Sequence, residues 1–232
     1  MTDFFEAVST RRSVRSFLPD PVPAEVLDRC LDAALRAPSS SNLQPWRFII
    51  VRSPDAHREA VRVCLSQAAA ASAPLIVALV AQPGSWRRNR DELLRILEAR
   101  GDLRESLGTY YRRLVPLAYL TGPMNLFGWC KPALSWLVSL GRPFPGLPGR
   151  TGVRIVAHKT TALAAATFML ALRAEGYDSC PMEGFDPRRA RKLLGLKPGE
   201  EVSMFLAVGK RAADGVRFER ALLPRPWTVQ EV

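Results

Sequence analysis

Between Ala162 and Leu172 the chain is apolar nearly all round, interrupted only by Thr167, and Gly176 follows where a helix C-cap would fall. A helix without a polar face has to be buried on every side. Two other stretches make the same demand. Leu75–Ala81 (LIVALVA) and Val202–Val208 (VSMFLAV) are short apolar runs that read as buried strands. One such helix and two such strands require a sheet with helices laid over it.

The rest of the chain supplies those layers. Residues 3–10 suit a short helix, the basic cluster RRSVRSF occupies 11–17, and Pro19, Pro21 and Pro23 punctuate a turn. From Pro23 the positions Val26, Leu27, Cys30, Leu31, Ala34 and Leu35 recur at helical spacing, and Pro38 closes that helix. The run WRFIIV at 46–51 predicts a strand, and Asp55 is placed to cap a helix to about residue 70. Residues 86–113 carry eight Arg and five acidic residues, the pattern of a solvated helical face. Leu114–Gly141 differs, since its only charge is Lys131, and Pro116, Gly122, Pro123, Gly128 and Pro132 prevent a continuous helix. An apolar segment of this kind needs cover, from a ligand, a partner subunit or its own domain. The whole reads as one α+β domain over 1–232, a sheet covered by helices.

Charge narrows the partners. The 232 residues hold 33 Lys and Arg against 22 Asp and Glu, a net +11, which invites nucleic acid, an acidic membrane face or a phosphorylated ligand. Residues 187–225 are basic but lack an aromatic-rich RNA-binding signature, which argues against nucleic acid. Cys30, Cys64, Cys130 and Cys180 form no C-x-x-C pair, and with only His57 and His158 beside them neither a metal site nor a disulfide framework is expected. A reduced, cytoplasmic chain fits that usage. MTDFFEAVSTRR is no signal peptide, and the apolar run 68–81, which contains Pro74, is too short for a membrane span.

No G-x-G-x-x-G, Walker loop or H-E-x-x-H is present, and no Ser-His-Asp set can be argued. Three local groupings suit ligand binding. Arg11, Arg12, Ser13 and Arg15 gather three guanidiniums and a hydroxyl, a phosphate-binding set that is also an ordinary basic patch. Pro38, Ser39, Ser40, Ser41 and Asn42 present hydroxyls and an amide on a loop, as a common linker also does. In SCPMEGFDP, Pro181 fixes its φ, Gly184 permits close backbone approach, and Asp186 with Pro187 opens a helix.

Taken in order, RRSVRSF, PSSSNLQPWRF and PMEGFD after an Ala-rich helix resemble the nitroreductase family of FMN-dependent oxidoreductases, from about residue 3 to the C-terminus, with 85–150 least typical. The resemblance implies a central mixed or antiparallel sheet flanked by helices, a homodimer, bound FMN, and NADH or NADPH as hydride donor to a small-molecule acceptor such as a nitroaromatic or quinone. It assigns Arg11, Arg12, Ser13 and Arg15 to the flavin phosphate and polar end. Pro38–Asn42 would reach FMN from the partner subunit, with Trp46 anchoring that loop, and Pro181, Met182, Glu183 and Gly184 would lie against the isoalloxazine. Near the C-terminus the pattern keeps Arg220 but has Leu222 where a second cation is usual, leaving Arg217 or Arg225 to compensate. At the end of the Asp55 helix, LSQAAAASAP offers only Gln67 where the family often has an Asn and a Lys. Within the variable stretch around 85–150, an insertion or lid, Leu114–Gly141 is expected to fold over the flavin with Tyr119, Phe127, Trp129 and Trp136 as aromatic walls, dimer contact or core being the other readings of that segment. No side chain is required as acid or base. The alternatives are a deiodinase-like, flavin-fragmenting or dehydrogenating member of the family, or a basic protein that binds RNA or acidic lipid.

Overall fold

The computed structural model describes residues 3–122, 125–144 and 146–232. Its frame is a four-stranded sheet made of β1 (Trp46–Val51), β2 (Leu75–Ala81), β3 (Asp178–Met182) and β4 (Glu201–Gly209), in the order β1-β2-β4-β3 with every pair antiparallel. Trp46 stands opposite Ala81, Ala78 opposite Phe205, and Met182 opposite Phe205 on the other side. The two faceless runs are the two interior strands, which is why they lack polar alternation: both their faces are covered. Ser13 adds a short parallel bridge to Ser179 on the outer edge of β3.

Helices α1 (Phe4–Thr10), α2 (Ala24–Leu35) and α9 (Arg150–Ala174) lie on one side of the sheet. There Leu27, Cys30 and Ala34 of α2 and Ala165, Phe168 and Leu172 of α9 pack on Val77, Leu79, Leu206 and Val208. On the other face α3 (Pro54–Val63), α4 (Ala68–Ser72) and α10 (Pro187–Leu193) bring Val63, Ala69 and Ala190 against Ile76, Ala78, Phe205 and Ala207. A third cluster, Leu43, Trp86, Tyr111, Val115, Tyr119 and Val153, gathers α5 (Trp86–Ala99), α6 (Glu105–Thr109) and α7 (Val115–Tyr119) beside the start of α9. One π-helical turn, Tyr110–Leu114, joins α6 to α7; α8 (Leu126–Ser139) and the short α11 (Arg225–Thr228) complete the chain.

Three expectations are corrected. Ser53, not Asp55, caps α3, its hydroxyl accepting from the Ala56 N–H at 3.2 Å, and the helix stops at Val63. Leu65 and Ser66 then take φ of 57° and 53°, a left-handed break that no 3.6-residue pattern reveals. The all-apolar helix is longer than its apolar core and not covered all round, because sheet and α2 bury Ala164, Ala165, Phe168 and Leu172 while Ile155 and Leu163 point outward. This α9 is also long and apolar enough to cross a membrane by length and composition, but here it is the helix that closes the core. Finally, Gly128 and Pro132 do not break the 114–141 segment; both lie within α8. Among the described residues the interruption falls at 120–122 and at Asn125, where Gly122 (φ 72°) and Asn125 (φ 64°) are left-handed; Pro123 lies outside the described residues.

Candidate functional site

Residues 11–15 are laid along the edge of β3. The Val14 N–H donates to the Ser179 carbonyl at 3.1 Å, the Arg15 N–H donates to the Gly215 carbonyl at 2.8 Å, and the Val14 side chain is fully buried. With Val14 in the core, Ser13 and Arg15 are left exposed. Arg12, Ser13 and Arg15 line a recess of about 290 Å³ with Val216, Arg217 and Phe218. Arg12 donates to the Phe218 carbonyl, and among the described residues Arg11, Arg12, Arg15 and Arg217 have no carboxylate partner. Unpaired guanidiniums around a concavity suit an anion. Ser179, paired with Ser13 in the bridge, has a buried hydroxyl without a hydrogen-bond partner.

Of the C-terminal cations, Arg217 shares the recess, whereas Arg220 donates to the Arg11 and Val8 carbonyls and so fastens this segment to the end of α1. Arg225 opens α11, and Leu222 is exposed.

The sequence reading missed Asp178. At the start of β3 this carboxylate is 3% exposed and accepts from Arg211 Nε at 3.0 Å and Nη2 at 2.8 Å, and from Arg173 Nη1 at 3.3 Å. Arg173 Nε reaches Thr10 Oγ1 at 2.9 Å, and Arg211 bridges Phe17, so the cluster clamps both ends of the 11–15 segment. The hydrogen bond that it donates to Asp178 holds the Arg211 guanidinium above its ordinary pKa. A lone Asp before a strand carries no motif that would have singled it out.

The Pro181–Gly184 segment divides by role. Pro181 and Met182 belong to β3, and the Met182 side chain is buried in the core, so only its backbone can face a ligand. Glu183 and Gly184 leave the strand exposed. Gln67 Nε2 donates to the Gly184 carbonyl at 2.7 Å and to the Cys64 carbonyl at 3.0 Å, tying the left-handed corner after α3 to this turn. Asp186 caps α10 as expected, accepting from the Arg188 and Arg189 N–H groups. Glu183 also lines a recess of about 500 Å³ with Phe185, Arg154 and Glu200.

Pro38–Asn42 sits elsewhere. It leads into β1, three strands from β3 and four from the 11–15 segment bridged to its outer edge, so roughly 19 Å of sheet separates the two. Ser41, Asn42 and Gln44 have φ of 54°, 52° and 46°, and non-glycine residues hold such angles only where their surroundings impose them. Here the loop is bound from α5 and the 105–119 helix: Tyr119 donates to Ser40 Oγ at 2.8 Å, the Tyr110 and Ser41 hydroxyls meet at 2.7 Å, and Asn89 donates to the Leu43 carbonyl at 2.7 Å. Trp46 is buried with Ala37 and Ala164 and anchors the loop. Asn42 faces a groove of about 960 Å³ shared with Trp46, Arg47 and Asn89.

The four aromatic residues do not form one wall. Tyr119 is buried and committed to Ser40, Phe127 lines a small recess with Arg87 and Gly122, and Trp129 and Trp136 are exposed. His57 meets the Ala73 carbonyl, and His158 meets Ser203 and Glu201. Among the described residues no group of His, Cys, Asp and Glu could hold a metal ion.

Comparison with known proteins gives these features a context. The nitroreductase family model matches residues 8–99 and 150–210, leaving 100–149 unmatched. A protein of Thermus thermophilus named NADH dehydrogenase is 31% identical over 94% of this chain and 92% of its own length. The protein DrgA of Synechocystis is 30% identical over 96% of this chain and 90% of its own. An Exiguobacterium sibiricum protein assigned to the nitroreductases, solved in complex with FMN, shares the fold with a TM-score of 0.76 at 21% identity, covering 100% of this chain and 98% of that one.

Proposed function

The chain belongs to the nitroreductase family, and from that premise we propose that it is an FMN-dependent oxidoreductase using NADH or NADPH to reduce a small planar acceptor such as a nitroaromatic or quinone. The observation that carries this reading is the recess ringed by Arg12, Ser13, Arg15 and Arg217, whose cations have no carboxylate partners among the described residues. Its size and charge suit the terminal phosphate of FMN. When bound, FMN would supply the hydride-transfer chemistry.

The chain's own residues bind and orient. Arg12 and Arg15 hold the phosphate as charged donors, with Ser13 as a hydroxyl donor and Arg217 as the third cation. Backbone groups of Pro181–Gly184, steadied by Gln67, lie against the ring, and no side chain acts as general acid or base. The Pro38–Asn42 loop lies across the sheet from this cradle, and in this reading it serves, as the family resemblance implies, the flavin site of a second copy. A homodimer would also cover exposed Phe4, Phe5, Ile155, Leu163 and Trp227. Residues 100–149, absent from the family match, form the variable insertion that sets acceptor choice through its hold on Ser40 and Ser41.

The test is direct. The purified protein should show flavin absorbance, and flavin-free protein should regain it on titration with FMN and then oxidise NADH or NADPH with a quinone present. A colourless protein that takes up no FMN would overturn the proposal.

A further inference from the structure

Helix α8 is inside out. The side it turns to the protein is its small and polar one, Gly128, Lys131 and Ser135. Lys131 Nζ donates to the Ala118 and Leu120 carbonyls at the end of α7, Ser135 Oγ accepts from the Leu147 N–H at 2.9 Å, and a Cβ on Gly149 would stand 2.5 Å from the Gly128 carbonyl oxygen. The side it turns outward is apolar: Leu126, Trp129, Leu134, Trp136, Leu137 and Leu140 are each 55–76% exposed. Burying the segment's one cation leaves that outer face without charge.

The surroundings say what covers it. From Ser106 to Ala174 there is no Asp or Glu, while eight Lys and Arg occur; Arg142, just after α8, and Arg150, whose N–H donates to Asn125 at its start, are exposed. A second copy docked face to face here would set Arg142 and Arg150, which have no carboxylate partner among the described residues, against their own counterparts. An anionic lipid surface would answer both. At 14 residues the helix is about 21 Å long, too short to span a bilayer and suited to lie in its interface, where tryptophans concentrate.

We propose that α8 docks this protein on anionic membrane surfaces, its outward Trp and Leu side chains entering the headgroup boundary and the flanking arginines meeting lipid phosphate. This inference does not depend on the flavin reading, since it concerns a segment outside the matched family regions.

The test uses the whole protein as purified and vesicles of phosphatidylcholine with or without phosphatidylglycerol. Binding should require phosphatidylglycerol, weaken in high salt, and slow the labelling of exposed Cys130 on α8 by a thiol reagent. Reversing Arg142 to Glu should weaken binding by roughly fivefold or more, the effect of one cation at a charged surface. The double variant Trp129→Ser/Trp136→Ser should lose vesicle binding while keeping the far-ultraviolet circular dichroism and thermal transition of the parent. Equal binding to neutral vesicles, unchanged binding by the double variant, or a fall in its sedimenting mass, which would mark the face as a contact between copies, would each overturn the proposal.

Discussion

Replacing Asp178 with Asn tests how the cradle is held. The carboxylate is buried and accepts four hydrogen bonds, two from Arg211 and a bifurcated pair from Arg173. Removing one partner of a buried ion pair costs about 3–5 kcal/mol. The side chains of Arg211 and Arg173 are 33% and 22% exposed, so water recovers part of that loss, and about 2–3 kcal/mol is expected. A domain with about 5–15 kcal/mol of stability survives it. Denaturant unfolding should show a lower midpoint with an unchanged slope. The damage should also be local: amide exchange at Val14 and Leu18, whose N–H groups hold the 11–18 segment to Ser179 and Lys210, should accelerate more than exchange in β2. FMN affinity should fall with it. A loss below about 0.5 kcal/mol, within the range of ordinary surface substitutions, or faster exchange spread evenly over the sheet, would refute the clamp.

Other outcomes are as specific. Arg15→Ala should weaken FMN binding by about 1.5–3 kcal/mol, the loss of a charge-assisted hydrogen bond, read by titrating flavin-free protein. Burial by itself would raise the Glu200 carboxyl, but hydrogen bonds from the Lys197 N–H and Gln82 and the charge of Arg47 hold it below its usual range; opposed by burial in the same way, Arg154 and His158 hold Glu201 low. Both therefore stabilise the fold above their unfolded values near ~4.3 and cease to do so as pH falls through the lower folded values. Thermal stability should decline on that acid side and Glu200→Gln should flatten the decline, so an identical acid limb in the variant would contradict the assignment. Burial pushes the Cys30 and Cys64 thiols up to about 12 and raises Cys180, so a thiol reagent at mild alkaline pH should label Cys130 quickly and the other three only after unfolding. Tyr119→Phe should free the Ser40 hydroxyl at a cost of about 1 kcal/mol and speed exchange at Asn42 and Leu43, whose N–H groups bond within the loop.

Much of the frame was legible because local chemistry and burial agreed. Trp46–Val51 and Leu75–Ala81 are strands with the limits their residues suggest, since β-branched and apolar side chains there also occupy covered positions. Gly176, at φ 81°, closes α9 as its lack of a side chain allows. The end of α3 was not legible, because Leu65 and Ser66 are held left-handed by packing and hydrogen bonds that reach Gly184, far along the chain.

The candidate site divides along the same line. Arg11, Arg12, Ser13 and Arg15 are near neighbours in the chain, so its order alone keeps phosphate-seeking groups close, and three of them, Arg12, Ser13 and Arg15, line the recess. Which distant cation joins them is settled only by the path of the C-terminal segment beside β3, which brings Arg217 to the recess and turns Arg220 back on α1. The clamp at Asp178 likewise depends on Arg173 from α9 and Arg211 after β4 arriving at one buried carboxylate. The outward apolar face of α8 follows the same rule. Its composition is written in the chain, but the choice to bury Lys131 and Ser135 and expose Trp129 and Trp136 is made by the carbonyls of α7 and the Leu147 N–H, polar groups that need partners and are supplied only once the chain has folded.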